Sequence, residues 1–155
     1  MVSHTFSLFA DYYQFYLQDE PARGDLSDAW NDDEAVSRML AVAPGVVGIG
    51  TARNTFVPVS INVLDEEPTA EFTSWEQVAE CTLLVQSGRV VVAGCTEYFP
   101  DAPRINVAPG TYRVRACYAG LGTVSKDGLE GNDSYHVYLW RAPAILPRVL
   151  KPRAV

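Results

Sequence analysis

Apolar and polar residues alternate over most of the chain, and this period of two predicts strands with one buried face. The alternation is clearest over residues 78–85 and 89–95. Ser87-Gly88 between them suits a two-residue turn, so these segments predict a β-hairpin. Further segments rich in β-branched and aromatic residues predict strands over residues 5–17, 46–51, 56–64, 111–119 and 134–140.

Turn-forming and proline residues refine this pattern. Arg53-Asn54 lies between segments 46–51 and 56–64 and predicts a second hairpin there. Pro58 cannot donate to a strand ladder, so its strand is expected at a sheet edge or with a bulge. The loop 120–132 contains four glycines and is expected to be exposed.

One short helix is predicted after residue 31. Asn31 or Asp32 can cap its N-terminus, and acidic residues suit the positive end of a helix. The acidic residues are Asp33 and Glu34, the apolar residues at helical spacing are Val36, Met39 and Leu40, and Pro44-Gly45 is the expected stop. About eight strands and one helix predict a mainly β fold, an antiparallel β-sandwich.

The length of 155 residues fits one domain. We therefore expect a single β-sandwich domain over residues 1–155, with residues 142–155 as its proline-rich tail. No run of 18 apolar residues and no basic segment before an apolar stretch is present, which favours a cytoplasmic protein without a membrane span. Cys81, Cys95 and Cys117 are odd in number and lack C-x-x-C spacing, so free thiols are expected.

Charge is distributed unevenly along the chain. Residues 1–103 hold sixteen acidic and four basic residues, whereas residues 104–155 hold three acidic and eight basic ones, and the net charge is −7. The acidic part would repel nucleic acid and anionic membranes and would attract a basic protein partner. Arg113 and Arg115 fall on the strand face opposite Tyr112 and Tyr118, so the interleaved platform that binds nucleic acid is not predicted.

The residues that carry catalytic or metal chemistry do not form a recognisable motif. His4 and His136 lie on strand-like segments without the other members of a triad. The acidic runs 32–34 and 65–67 consist of neighbours that do not face one point. The sequence therefore predicts no catalytic residue, no metal and no cofactor, and we expect a protein that is not an enzyme.

Several short motifs occur in an order that resembles the competence protein J family, whose founding activity is inhibition of a DNA-entry nuclease. The motifs are Tyr12-x-Gln14-Phe15, Trp30 followed by Asp33-Glu34-Ala35, Gly45, Arg53-Asn54-Thr55, Ser87-Gly88 and Gly110-x-Tyr112. The resemblance covers roughly residues 8–119. The segment that starts at Pro109 also looks like a recurring part of bacterial proteins, some of which look like immunity proteins.

The resemblance implies an inhibitor or immunity-type protein that binds a basic nuclease or toxin. The expected contact patch consists of Asp28, Trp30, Asp32, Asp33 and Glu34, with Trp30 as a desolvated anchor or as a staple between helix and sandwich. The second expected site is Arg53, Asn54 and Thr55, as a structural clamp or a contact. One alternative is a module that binds a small ligand or carbohydrate, because eight tyrosines and three tryptophans can line a groove. Another is an enzyme that uses carboxylates in a deep cleft.

Overall fold

The computed structural model describes residues 2–154, which form a mainly β fold of two packed sheets, as predicted. Six strands form one sheet in the order β1-β5-β10-β9-β6-β11, and five form the other in the order β3-β4-β2-β7-β8. The strands are β1 (Val2–Phe9), β2 (Gln14–Asp19), β3 (Leu40–Ala43), β4 (Val46–Gly50), β5 (Phe56–Val63), β6 (Gln77–Val85), β7 (Arg89–Gly94), β8 (Arg104–Asn106), β9 (Gly110–Ala119), β10 (Ser134–Arg141) and β11 (Arg148–Lys151). All strand pairs are antiparallel except β5 and β10, which run parallel.

The main core lies between the two sheets. Phe15 of β2 contacts Tyr135 of β10 edge-on, at 6.2 Å between ring centroids, and Tyr118 of β9 contacts Tyr135 in the same way at 5.9 Å. These rings are almost completely buried. Burial of one such side chain contributes on the order of 1.5–3 kcal/mol, so this aromatic cluster joins the sheets firmly.

Both predicted hairpins are wrong, because each turn carries the chain from one sheet to the other. β4 belongs to the five-stranded sheet and β5 to the six-stranded sheet. Likewise, β6 belongs to the six-stranded sheet and β7 to the five-stranded sheet. The Ser87-Gly88 turn does form, but the buried carboxylate of Asp19 accepts hydrogen bonds from the backbone nitrogens of Gln86 and Ser87, at 2.9 and 3.1 Å. A distant residue therefore fixes this turn, and local turn chemistry could not reveal it.

The predicted strand over residues 5–17 is two strands in different sheets. A corner at Tyr12 and Tyr13, both with φ of 60°, separates β1 from β2. This left-handed backbone costs a non-glycine residue about 1–3 kcal/mol. The corner lets Phe6 and Leu8 of one sheet and Phe15 of the other contribute to the same core.

The helix α1 (Asp33–Arg38) is shorter than predicted. Asp32 caps it as expected, since its side chain accepts a hydrogen bond from the Glu34 nitrogen at 3.0 Å. Met39 ends it in the left-handed conformation, with φ of 57°, so Pro44-Gly45 does not end the helix and instead lies between the paired strands β3 and β4. The apolar spacing was misleading, because Val36 is 56% exposed.

Three smaller outcomes concern Pro58, the glycine-rich loop and the C-terminal segment. Pro58 lies in an interior strand with an unbroken register to β1, so the predicted edge or bulge is wrong. It is tolerated because the pairing of β5 with β10 begins at Val59.

The loop 120–132 is mostly exposed, although Leu121 enters the core. Residues 148–151 form β11 on the edge of β6.

No helix within residues 2–154 is long and apolar enough to cross a membrane.

Candidate partner-binding site

The central strand β2 carries a row of polar side chains on the outer face of the five-stranded sheet. Phe15 and Leu17 point into the core, and the alternate residues Gln14, Tyr16 and Gln18 point outward and are half-buried. Polar side chains on the middle strand of a sheet remain accessible only where nothing covers that strand. Two chain segments cover the outer face on either side of this row and leave a cleft between them.

The first covering segment comprises residues 25–34 and is named here the acidic flap. Trp30 lies over Gly48 of β4, where an added Cβ would come within 2.8 Å of the Leu26 side chain and 3.2 Å of the indole. The indole Nε1 donates a hydrogen bond to the Gln14 side-chain oxygen at 2.8 Å. Trp30 therefore anchors the flap to the sheet, and glycine at position 48 provides the space for it.

The second covering segment comprises residues 95–102. Ala102 and Phe99 pack on Val91 and Ala93 of β7, with Tyr16 at the border of this cluster. Tyr16 also packs against the apolar residues beneath the acidic flap. One aromatic ring thus borders both covering segments and forms the middle of the cleft floor.

The cleft has a volume of about 500 Å³ and a mixed polar and aromatic lining. Its lining residues are Gln14, Tyr16, Gln18, Gly24, Asp25, Leu26, Ser27, Trp30, Val46 and Cys95. Burial, with smaller contributions from Cys95 and Glu97, raises the pKa of the Tyr16 phenol, which is therefore neutral at pH 7. Hydrogen bonds from Ser27 lower the pKa of the Asp25 carboxyl, so the cleft has a negative charge at its rim.

The predicted contact patch lies together in the acidic flap. Asp28, Asp33 and Glu34 are exposed, and Asp32 is exposed while it caps α1. Trp30 is half-buried: it packs against a cluster that includes Leu26 and Ala35 and keeps part of its surface accessible. Glu34 lies at the far end and lines a separate shallow groove with Arg148. The backbone of the flap is fixed by hydrogen bonds such as Trp30 N to Leu26 O at 3.1 Å.

Arg53, Asn54 and Thr55 make their polar contacts with other parts of the molecule. The Asn54 side-chain oxygen accepts a hydrogen bond from the Tyr12 backbone nitrogen at 2.9 Å. The Asn54 backbone nitrogen donates to the Gly128 carbonyl oxygen at 2.8 Å. The Thr55 oxygen accepts from the Ala10 nitrogen at 2.9 Å. Among the described residues, the triplet forms no hydrogen bond or ion pair with the acidic flap.

Arg53 forms an ion pair with Asp133, at 2.6 Å between Nε and Oδ1. The Asp133 side chain is fully buried, and its other oxygen accepts from the Tyr135 hydroxyl at 2.5 Å. That hydroxyl accepts in turn from the Ala52 nitrogen at 2.8 Å. The triplet thus joins the β1–β2 corner, the β4–β5 crossing and the loop 120–132 in one network, which is the geometry of a clamp.

The thiols of Cys81 and Cys117 are buried, and the His136 imidazole is half-buried. Burial raises the pKa of the Cys81 thiol and raises that of Cys117 to about 12, so neither forms a thiolate readily. His136 lies 2.8 Å from Ser60 Oγ and under the Trp75 ring, and burial lowers its pKa. Within residues 2–154, no group of three or more His, Cys, Asp or Glu residues is placed to hold a metal ion.

Sequence reasoning identified the flap but missed the cleft beside it. Tyr16 and Gln18 were available from the sequence, because they alternate with the apolar residues Phe15 and Leu17 along β2. Aromatic residues occur throughout residues 5–17, and this composition does not reveal the change of sheet at Tyr12 and Tyr13. Asp133 was also missed as a partner of Arg53, since 80 residues separate them.

No protein-family model and no curated protein sequence matches the chain. Solved structures do match. One is ComJ, the inhibitor of the DNA degrading activity of NucA from Bacillus subtilis, with a TM-score of 0.67 and 15% identity over 92% of this chain and 96% of ComJ. Another is described as crocagin biosynthetic gene J, with a TM-score of 0.59 and 16% identity over 92% of this chain and 100% of that one. The chain therefore has the fold of ComJ, which confirms, at the level of the fold, its resemblance to the competence protein J family.

Proposed function

We propose that this protein is a non-catalytic inhibitor of the immunity type, which binds a basic nuclease or toxin through the acidic flap and the adjoining cleft. The observation that carries the proposal is the flap itself, in which exposed carboxylates are held on a fixed backbone beside a preformed cleft. The fold shared with ComJ, an inhibitor of a DNA-degrading protein, supports it.

The carboxylates of the flap suit a partner with a phosphate-binding surface. A nuclease active site attracts phosphate and is therefore usually basic, so an inhibitor that covers it gains from negative charge on a rigid support. Asp28 and Asp33 are exposed, and Asp32 is exposed while one of its oxygens caps α1, so all three can meet such a surface. Close charge pairs across a protein interface couple with about 1.5–7 kcal/mol and also accelerate association.

The cleft suits one inserted basic side chain from the partner. Tyr16 and Trp30 offer aromatic surfaces on which a guanidinium or ammonium group can lie, and Asp25 supplies a nearby carboxylate. A cation over an aromatic face contributes about 0.5–2 kcal/mol, with the larger value where water is excluded. In this proposal Trp30 is both the anchor of the flap and one wall of the receptor for that side chain.

Arg53, Asn54 and Thr55 act as a clamp in this proposal. They hold the corner from which β2 starts, and Gln14, the first residue of β2, is hydrogen-bonded to Trp30. The clamp thereby fixes the floor of the cleft relative to the rest of the sandwich. We expect substitutions in the triplet to lower stability first and partner affinity only as a consequence.

The test begins with a tagged pull-down from the source organism's lysate at low and moderate salt, followed by purification of any nuclease or toxin that is retained. The triple variant Asp32→Asn, Asp33→Asn, Glu34→Gln is then compared with the wild type for affinity and for inhibition of the partner. Asparagine can still cap a helix, so α1 is expected to remain intact. We expect at least a tenfold weaker complex, a change of about 1.4 kcal/mol or more.

The chain offers a matched control in the triple variant Asp65→Asn, Glu66→Gln, Glu67→Gln. It removes the same charge from exposed residues outside the flap. A loss confined to the flap variant supports the proposal. Equal losses in both variants would mean a long-range field without a local contact, and no loss in either would contradict the acidic-flap interface.

A second candidate function, binding of a small ligand or carbohydrate, is favoured by the same cleft. Its volume is within the range of small-molecule sites, and Tyr16 and Trp30 stand beside the amides of Gln14 and Gln18. A thermal-shift screen with saccharides tests it, since a ligand that binds only the folded state raises Tm. A shift that disappears in Tyr16→Ala would favour this function over the first.

A further inference from the structure

The two sheets end in four edge strands, β1, β11, β3 and β8. An edge strand presents unpaired backbone N–H and C=O groups, and soluble proteins usually protect such edges with short strands, charges or bulges. Three of these edges are protected in this way. β3 has four residues and β8 has three, while β11 has four residues, a register shift between Val149 and Lys151, and two basic side chains.

The fourth edge, β1, has none of these protections. It is eight residues long, VSHTFSLF, and contains no Asp, Glu, Lys, Arg or Pro. Its register with β5 is unbroken from Val2 opposite Val63 to Phe9 opposite Phe56. No strand within residues 2–154 pairs with its other side. Alternate residues of an antiparallel strand direct both backbone groups away from the partner, so this side offers a regular set of free hydrogen-bonding groups.

The side chains of β1 complement a second copy of the same strand. Leu8 is buried and His4 and Phe6 are half-buried on one face, while Ser3, Thr5 and Ser7 are exposed on the other. If two copies of β1 pair antiparallel with Thr5 at the centre, Thr5 faces Thr5 and Ser3 faces Ser7. Cross-strand hydroxyl pairs are favourable, and no pair of carboxylates or of Lys and Arg residues is brought together.

We propose that β1 pairs with β1 of a second copy about a two-fold axis, which joins the two six-stranded sheets into one continuous sheet. The exposed face would then have a run of hydroxyl side chains across the junction, and the half-buried Phe6 would be covered on its open side. Self-pairing is favoured over capture of a foreign strand because, with Thr5 at the centre, hydroxyl side chains of the two copies face one another across the junction. The β1 edge contains no residue of the acidic flap, so the proposed dimer is independent of the proposed inhibitor function.

Sedimentation velocity across a dilution series tests this pairing with the intact chain. We expect the wild type to dimerise, and we expect Thr5→Lys and Thr5→Glu each to raise the dimer dissociation constant at least roughly tenfold, because like charges then meet at the centre. A one-to-one mixture of the two variants should recover the dimer, since the central charges are then opposite. Val36→Lys on exposed α1 is the matched control and should dimerise like the wild type.

Hydrogen exchange of the wild type gives a second readout that needs no variant. Amides of residues 2–9 should become more protected as protein concentration rises, while those of β8, at another sheet edge, should not change. A wild type that stays monomeric at every concentration overturns the proposal. A dimer that persists equally in both Thr5 variants, or a mixture that stays monomeric although each variant is folded, also overturns it.

Discussion

On the outer face of the six-stranded sheet, the Glu80 carboxylate is completely buried between Arg115 and Arg148, whereas the outer face of the five-stranded sheet has the open row of polar side chains on β2. Glu80 accepts from Arg115 Nε at 2.8 Å and from Arg148 Nη2 at 2.7 Å. The Arg115 guanidinium also lies over the rings of Phe72 and Trp140, at 5.1 and 4.9 Å. The chain's own arginines close the first face around Glu80, where a smaller cavity of about 240 Å³ remains beside Arg115, and the second face has the larger cleft of about 500 Å³.

This difference explains what the uneven charge of the sequence does in the fold. Arg113, Arg115 and Arg148 belong to the basic C-terminal third, and all three lie near Glu80 on the closed face. These three arginines therefore lie away from most of the acidic flap, although Arg148 also lines a groove with Glu34. The flap keeps its negative field because most of these cations are used elsewhere.

The largest effect is expected for Glu80→Gln on the closed face. The substitution leaves buried arginines without their anion, and breaking a buried ion pair from one side costs about 3–5 kcal/mol. Urea denaturation should show this loss in the free energy of unfolding. The matched control is Glu76→Gln, whose partner Arg153 is half-exposed at 4.0 Å, and we expect a change below about 1 kcal/mol there. Equal changes at both positions would contradict a distinct closed face.

A somewhat smaller loss of stability is expected for Arg53→Met in the clamp, which connects segments of both sheets. Asp133 then remains buried, and among residues 2–154 the Tyr135 hydroxyl is its one remaining side-chain hydrogen-bond donor, so a loss of stability of about 2–4 kcal/mol is expected. The double variant Arg53→Met, Asp133→Asn should recover part of it, because the uncompensated charge is gone. A double variant that is less stable than the sum of both single losses would argue against this ion pair as the cause.

A moderate change in the free energy of unfolding with pH is expected from His136 on the closed face. Burial lowers the pKa of His136 in the folded state, so the unfolded chain takes up a proton that the folded chain resists. The stabilising contribution is therefore present above the unfolded pKa, about 6.5, and is lost as pH falls through and below that value. Denaturation at pH 7.5 and 5.5 should show a larger decrease for the wild type than for His136→Gln. An identical decrease would show that other groups cause the pH dependence.

The smallest change in stability is expected for Tyr16→Phe on the open face. The Tyr16 hydroxyl forms no hydrogen bond to any of residues 2–154, so its removal should alter the free energy of unfolding by less than about 0.5 kcal/mol. The same variant should weaken partner binding, because the hydroxyl lies in the cleft. A large stability loss would show that this face is closed like the other one.

Strand positions followed from the sequence better than strand partners did. Residues 78–85 and 89–95 alternate regularly and do form strands, but their turn was assigned to a hairpin although Asp19 holds it between two sheets. Periodicity reports which face of a strand is buried and contains no information on the sheet to which the strand belongs. The flap was predictable because its capping and acidic residues are local, and the cleft was not because residues from four separate segments form it.

The parallel pair β5–β10 also has a consequence for the order in which the chain can fold during synthesis. Ser60 and His136 lie opposite each other in that pair and are 76 residues apart. At about 5–20 residues per second, a ribosome needs roughly 4–15 s to deliver the second strand after the first. During that interval β1 and β5 can pair only with each other, and one side of each remains uncovered. The nascent chain therefore passes through a period in which association with a neighbouring chain competes with completion of its own sheet.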